Sequence, residues 1–176
     1  SRSMSPSLGL LTCSFAADFD LCKTLVSSIQ MFTPEVYHRI LVPPPDLGLF
    51  AEFASPSTEI VANRDFLPPG CRALPRAPEA IRTRLPKLRR PADVYRGRIV
   101  RGWLMQQVVK LAAAASMPTP MVMHCDSDSF LVRAPRMVDY WNVGKPRLLS
   151  RPGGGRDEVH YLWHAAAASL LGLTPT

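Results

Sequence analysis

The sequence predicts an α/β fold with a mainly parallel central sheet flanked by helices. In the first half of the chain, short apolar runs alternate with amphipathic stretches, a pattern typical of strands joined by helical crossovers. A Met-Val-Met run further along, bounded by proline, is too short for a helix and fits a buried strand. With 176 residues, of which 47% are hydrophobic and 20% charged, the chain can form one domain with a substantial core.

The first 42 residues predict a strand, a helix and a second strand. Residues 8–13 form a short apolar run, and apolar side chains then recur at helical spacing up to residue 32. Acidic side chains at the start of this stretch, Asp18 among them, favour a helix N-terminus. Pro34 ends the helix, and residues 37–42 predict a strand that stops at three prolines.

The following stretch predicts a short helix over residues 46–53 and a third strand over residues 59–63. Residues 65–91 are rich in proline and arginine and lack sustained periodicity. They predict a long surface connection.

The strongest helical pattern covers residues 97–116, and Ser116-Met117-Pro118 sets its end. Next to its apolar face, a second stripe recurs at i+3 and i+4 spacing. The members of this stripe are Trp103, Gln106, Gln107 and Lys110.

An apolar run at 120–125, predicted to be an interior strand, ends abruptly in Asp126-Ser127-Asp128. Ligands in open α/β sheets bind at the carboxyl ends of such strands. Two carboxylates placed there repel each other unless a cation or hydrogen-bond donors offset the repulsion. Mg²⁺ or Mn²⁺ takes one or two carboxylates and fills its remaining positions with water and phosphate oxygens. The sequence therefore predicts a Mn²⁺ or Mg²⁺ site at Asp126 and Asp128.

The Asp126-Ser127-Asp128 triplet, with its apolar strand and the helix of residues 102–111 before it, resembles the DxD motif of GT-A-type nucleotide-sugar glycosyltransferases. It is similar in particular to bacterial glycosyltransferase-like domains in which such a helix precedes the DxD strand. The resemblance implies a single Rossmann-like GT-A sandwich over residues 1–176, with a short or incomplete acceptor part after about residue 129. It also implies metal-dependent transfer of a sugar from a nucleoside-diphosphate sugar to an unknown glycan, lipid or small-molecule acceptor.

The same resemblance implies roles for further residues. Asp128 is expected to bind the metal directly, and Asp126 is expected to contact the ribose, the donor sugar or a metal-bound water. Gln106 would hydrogen-bond a sugar hydroxyl, and Lys110 would pair with phosphate. Candidates for the remaining nucleotide contacts are Thr12, Ser14, Phe15, Asp18 and Ser127. Ser14 and Asp18 are equally ordinary as helix caps.

A catalytic base, needed if the reaction inverts the anomeric centre, would come from Asp157, Glu158 or His160. These residues follow a glycine-rich stretch at 151–156 that is either a flap over a diphosphate or a plain loop. No spacing rule selects one of the three, and a retaining reaction would not use them in this way.

Two alternatives remain open. A haloacid-dehalogenase-like phosphatase also places a DxD motif after an apolar strand, although Phe130 departs from that pattern and only Asp139, Asp157 and Glu158 follow it as acidic residues. The second alternative is a catalytically inert nucleotide-binding module of the same fold.

The formal net charge of +7 is concentrated between Arg72 and Arg101, where ten basic residues face only Glu79 and Asp93. The near absence of interleaved aromatic side chains argues against nucleic acid as a partner. The block predicts either a solvated surface segment or attraction to an anionic substrate or to the inner membrane face. Since no stretch approaches the roughly 20 apolar residues of a transmembrane helix, we expect a cytoplasmic protein. The four cysteines lack metal-site spacing and are expected to be free thiols.

Overall fold

The computed structural model describes residues 7–73, 92–142 and 145–146, and residues 162, 165, 166, 168, 169 and 172. The chain divides into two compact units, residues 1–137 and residues 138–176. The strands are, in chain order, β1 (Leu8–Cys13), β2 (Tyr37–Val42), β3 (Thr58–Ala62), β4 (Arg72–Ala73), β5 (Ala92–Tyr95), β6 (Arg98–Arg101), β7 (Met121–His124), β8 (Trp141–Asn142) and β9 (Lys145–Pro146). The α-helices are α1 (Phe19–Phe32), α2 (Leu47–Phe50), α3 (Gly102–Ala115) and α4 (Met137–Tyr140).

The predicted α/β fold is confirmed. The first unit is built on a four-stranded sheet in the order β3-β2-β1-β7, and every neighbouring pair of these strands is parallel. Strands β1 and β2 have the predicted bounds, and α1 and β3 lie within a residue or two of theirs. Parallel neighbours require crossovers, and α1 and α2 lie in the connections that the sequence pattern assigned to them.

Helices cover both faces of this sheet. Successive side chains of a strand point to opposite faces, so each face presents apolar side chains against which a helix packs. On one face, Leu10 packs with Leu25 and Ile29 of α1. On the opposite face, Leu11 packs with Val109 and Ala113 of α3. The sheet therefore lies between α1 and α3, which gives a Rossmann-like sandwich.

A hairpin replaces the first turn of the predicted helix at 97–116. Strands β5 and β6 pair antiparallel around Arg96 and Gly97, whose φ angles are 50° and 75°. Two consecutive residues with positive φ suit a two-residue hairpin turn and interrupt a helix. The helix prediction is therefore wrong for residues 97–101, and α3 begins at Gly102. The two-residue strand β4, which pairs with β5, also lies in the stretch predicted to be irregular.

Strand β7 confirms the strand predicted in the Met-Val-Met run but not its interior position. Among the described strands it lies at one end of the four-stranded sheet, and Met121, Val122 and Met123 are only half-buried. The two interior positions belong to β1 and β2, where Leu10 and Leu11, and Ile40 and Leu41, are completely buried.

Arg39 of β2 fastens the C-terminal end of α3 to the sheet. Its guanidinium donates to Glu59 Oε2 on β3 at 2.8 Å, to Ser116 Oγ at 2.8 Å and to the Ala113 carbonyl at 3.3 Å. Arg39 is only 9% exposed, so these bonds also satisfy a charge that would be costly to bury alone. Helix α3, which leads into the DxD segment, is therefore held to the sheet at its C-terminal end.

The second unit contains the short β8–β9 hairpin. Residues 162, 165, 166, 168 and 169 are helical, and Gly172 has a φ of +67°, a left-handed conformation that glycine adopts readily. The glycine-rich stretch at 151–156 lies outside the described residues. None of the helices within the described ranges has the length and apolar character needed to cross a membrane.

Candidate functional site

A polar cavity of about 260 Å³ lies at the carboxyl ends of β1 and β7. Three segments form its walls: residues that follow β1, residues on one side of α3, and the Asp-Ser-Asp triplet that follows β7. This is the edge of the sheet at which open α/β folds bind ligands.

The wall after β7 is a tight turn. The Cys125 amide still donates to the Leu11 carbonyl at 3.0 Å, so the triplet begins where pairing with β1 ends. The Ser129 amide then donates to the Asp126 carbonyl at 3.0 Å and closes the turn. Asp126 and Asp128 line the cavity and are exposed. Ser127 is only 6% exposed.

The wall after β1 is joined to the triplet by a side-chain hydrogen bond. Ser127 Oγ donates to Asp18 Oδ2 at 3.2 Å, across 109 positions of sequence. The Ala16 amide donates to Asp46 Oδ2 at 2.9 Å, which fixes the single 3-10 turn that carries Asp18. Phe15, at the start of this turn, lines the cavity with 48% of its surface exposed.

The wall on α3 is the polar stripe that the sequence predicts. Trp103, Gln106, Gln107 and Lys110 all line the cavity, since positions i, i+3, i+4 and i+7 lie on one side of a helix. The Lys110 side chain is 12% exposed, and its Nζ lies 2.7 Å from Oδ1 of Asp126, whose side chain is 69% exposed. The lysine stem is therefore largely buried, and its positive charge lies against the first carboxylate of the pair.

The charges that line the cavity are unbalanced. Among the described residues that line it, Asp18, Asp126 and Asp128 contribute three formal negative charges, and Lys110 contributes one positive charge. Among the described residues, no three His, Cys, Asp or Glu side chains converge as a complete metal site. The carboxylates nevertheless fit a hard divalent cation that takes one or two protein oxygens and shares the rest of its coordination sphere with phosphate and water. A diphosphate would meet repulsion here unless such a cation supplied the missing positive charge.

Cys13 also lines the cavity. Burial raises the pKa of its thiol to about 11, against a smaller lowering effect of the Lys110 ammonium and together with a smaller raising effect of the Asp126 carboxylate. A thiol with this pKa is protonated at neutral pH and is a poor nucleophile. Cys13 thus contributes shape to the cavity. All four cysteines are free, and three of them are buried.

The cavity brings together most of the residues that the sequence singled out. Seven of the predicted site residues line it: Phe15, Asp18, Gln106, Lys110, Asp126, Ser127 and Asp128. Thr12 and Ser14 do not. Thr12 is completely buried and shares a 2.9 Å hydrogen bond with His38 Nε2. Ser14 is also buried, and its hydroxyl lies beside the Cys22 thiol.

The proposed bases Asp157, Glu158 and His160 lie outside the described residues. Cys13, Trp103 and Gln107 line the cavity without having been assigned to it. For Trp103 and Gln107 the signal was present, because both lie on the same helical stripe as Lys110.

The fold and the cavity define a class of protein: a Rossmann-like α/β sandwich with a carboxylate-rich polar site at the carboxyl edge of its parallel sheet. Residues 8–176 match DUF6492, which is described as a family of unknown function. The match covers nearly the whole chain, and the protein belongs to this family. No curated protein and no solved structure gives a significant match.

Proposed function

We propose that this protein is a metal-dependent glycosyltransferase that moves a sugar from a nucleoside-diphosphate sugar to an acceptor. One observation carries the proposal. A single cavity at the carboxyl edge of a parallel sheet combines the Asp126/Asp128 pair, the ammonium of Lys110 and two neutral glutamine side chains. Departure of a nucleoside diphosphate places negative charge on phosphate, and uncharged sugar hydroxyls need hydrogen-bond partners. This cavity offers groups for both.

Asp128, with or without Asp126, would hold Mn²⁺ or Mg²⁺. When bound, the cation supplies positive charge to the departing diphosphate. Lys110 adds a second positive group on the protein side, held in place by the buried stem of its side chain. Asp126, which already accepts a hydrogen bond from Lys110, orients that ammonium toward the phosphate position.

The donor would lie across the other two walls. Phe15 presents an exposed ring on which a nucleobase can stack. Asp18, held by Ser127, accepts hydrogen bonds from ribose hydroxyls. Gln106 hydrogen-bonds a sugar hydroxyl. For an inverting reaction the base is one of Asp157, Glu158 and His160.

Contact with the inner membrane face is a further part of the proposal. Within the described part of the basic block, Arg72, Arg96 and Arg98 are exposed. Ile99, at the same hairpin, is 71% exposed. Basic side chains interleaved with an apolar one suit an anionic lipid surface. Such contact would hold the protein beside a lipid-linked acceptor.

A ligand screen tests the proposed function. Thermal unfolding is measured with UDP, GDP, ADP and CMP and with their sugar conjugates, each with and without Mn²⁺. A ligand at 100 times its Kd should stabilise the fold by about 2.7 kcal/mol, which raises the Tm of a domain of this size by roughly 5–11 °C. Sugar released from the stabilising nucleotide sugar is then measured. Absence of any Mn²⁺-dependent nucleotide effect contradicts the proposal.

The screen also separates the alternatives. An inert module would bind nucleotide with Mn²⁺ but would neither hydrolyse nor transfer the sugar. A phosphatase would cleave a simple phosphate ester such as p-nitrophenyl phosphate, and Asp126→Asn would abolish that activity because the first aspartate would be the nucleophile.

A further inference from the structure

The α3 wall of the cavity changes its character along the helix. At its inner end, Lys110 is largely buried and paired with a carboxylate. Toward the start of the helix, Gln106 and Gln107 are neutral, and Trp103 lines the cavity with 64% of its surface exposed. An indole that remains this exposed forgoes much of the free energy that burial would provide. Because Trp103 lines the cavity, a ligand bound there can cover part of that apolar surface.

We propose that Trp103 is a stacking platform for a hexose ring, and that Gln106 and Gln107 hydrogen-bond the hydroxyls of that ring. The inference deepens the proposed function and rests on it, since it assigns a sugar subsite within the same cavity. It adds Trp103 and Gln107 as residues that determine specificity.

The chemistry of a pyranose matches this wall. One face of the ring presents C–H groups and packs against a flat aromatic surface, whereas its edge carries hydroxyls that both donate and accept hydrogen bonds. A glutamine carboxamide offers two N–H donors and one carbonyl acceptor, so two neighbouring glutamines can satisfy several hydroxyls without adding charge. Ligand sites commonly combine an aromatic surface with a few placed polar groups in this way.

The distance along α3 also fits. Lys110 lies seven positions after Trp103, which corresponds to ~10 Å at a rise of 1.5 Å per residue. This length accommodates a phosphate beside Lys110 and one hexose between the phosphate and the indole. The second exposed aromatic, Phe15, lies on the wall after β1 and leaves the α3 wall to the sugar.

The hexose could belong to the donor or to the acceptor, and one set of variants distinguishes them. Trp103→Ala removes the platform, and Trp103→Phe keeps an aromatic face. Leu104→Ala is the matched control, because Leu104 is 50% exposed on the same helix but does not line the cavity. For each variant, calorimetry with Mn²⁺ gives the Kd of the nucleoside diphosphate and of its sugar conjugate from the screen. Kinetics with methyl glycosides of glucose, galactose, mannose and N-acetylglucosamine as acceptors give the acceptor KM.

A donor subsite predicts that Trp103→Ala weakens binding of the nucleotide sugar roughly tenfold and leaves the Kd of the nucleoside diphosphate within about twofold. An acceptor subsite predicts unchanged donor affinity and a roughly tenfold higher acceptor KM. In either case Trp103→Phe retains most of the affinity, and Leu104→Ala behaves as wild type. If Trp103→Ala alters neither quantity while nucleotide binding persists, the inference is wrong and the proposed function stands.

A separate arm applies if the wild-type protein binds no nucleotide, which would contradict the proposed function. Methyl glycosides of glucose, galactose, mannose and N-acetylglucosamine are then titrated at up to about 100 mM and followed by ligand-observed NMR. Saccharide binding that Trp103→Ala abolishes would still support the platform. Absence of saccharide binding to the wild-type protein would overturn it.

Discussion

Lys110 Nζ lies 2.7 Å from Asp126 Oδ1, so a cation of the protein itself already engages one carboxylate of the pair. Asp128 lines the same cavity, and no hydrogen bond or ion pair to it is found within the described ranges. The two carboxylates are therefore unequal before any ligand binds. This inequality predicts different consequences for their substitution.

Asp128→Asn should remove most of the Mn²⁺-dependent affinity for nucleoside diphosphate, because it takes away the expected direct metal ligand. The fold should remain intact or become slightly more stable, since one of two nearby like charges is gone. Asp126→Asn should weaken nucleotide binding less and should retain metal dependence. Calorimetry with and without Mn²⁺, together with thermal unfolding, measures both effects. Unfolding of Asp128→Asn, or unchanged metal-dependent binding, would contradict these roles.

Lys110→Met should lower nucleoside diphosphate affinity by about 10- to 100-fold, the value of one hydrogen bond to a charged group. Methionine preserves the apolar stem that packs beneath the cavity, so the Tm should change little. Lys110→Arg is the control, because it keeps the charge and should retain part of the affinity. If Lys110→Met leaves the nucleotide Kd unchanged, phosphate does not bind beside Lys110.

Gly9→Ala should destabilise the fold by about 1–3 kcal/mol. A Cβ at this position would lie 2.7 Å from Met117 Cε and closer still to Thr119 Oγ1. Gly48→Ala is the matched control, because a Cβ there meets nothing within 4 Å and alanine favours a helix. Urea unfolding measures the difference. Adding Thr119→Ala to the Gly9→Ala variant should restore part of its free energy of unfolding. If it does not, another contact causes the loss of stability.

Stability should decrease as the pH falls from about 6.5 toward 4. Burial lowers the pKa of His38 from 6.5 to about 4, so in this interval the unfolded chain binds a proton that the folded protein does not. Stability is fully present above the unfolded pKa, and this group accounts for a loss of about 3 kcal/mol by pH 4.

Unfolding of His38→Gln across this pH range tests the assignment, because glutamine does not titrate and can still hydrogen-bond Thr12. The variant should lose most of the pH dependence. The control His124→Gln, at an exposed position, should retain most of it, although partial burial and the Lys110 ammonium also lower the pKa of His124, against a raising effect of Asp126. Equal slopes for wild type and His38→Gln would assign the effect to other groups.

Vesicles that contain phosphatidylglycerol should bind the protein at low salt, and phosphatidylcholine vesicles should not. Reversing two charges with Arg96→Glu and Arg98→Glu should weaken the binding at least tenfold, since each basic residue near an anionic surface contributes about 1 kcal/mol. Lys23→Glu, at an exposed position outside the hairpin, is the control. Co-sedimentation measures the bound fraction. No binding of the wild-type protein, or equal loss in the control, would contradict the membrane contact.

Local pattern predicted most of the described first unit because each element is encoded within a short window. Prolines around 37–42 and the apolar spacing of α1 mark their elements directly. The hairpin at 92–101 was missed because Ile99 and Val100 extend the apolar pattern of α3 backward. Arg96-Gly97 carried the contrary signal, a turn dipeptide ahead of β-branched residues.

The site could be predicted only where chain order places its parts together. The stripe on α3 and the triplet after β7 follow one another in sequence, so their meeting could be anticipated. The bond from Ser127 to Asp18 joins residues 109 positions apart, and local pattern carries no information on such a pair. Strand order likewise depends on contacts between residues distant in sequence. The Met-Val-Met run predicts a strand, but its place at the end of the described sheet depends on which strands pair.

The attachment of α3 by Arg39 affects the length of substrate that the site accepts. Arg39 fixes the C-terminal end of α3 to the sheet, so the separation of Trp103 from Lys110 is set by the helix alone. Four residues inserted between them, slightly more than one turn, would keep both side chains near the cavity and carry the indole outward by ~6 Å. A single inserted residue would turn it about 100° away. The length of substrate that the cavity accepts is therefore set by the number of helical turns between Lys110 and Trp103, and it can be changed without any change to the carboxylates.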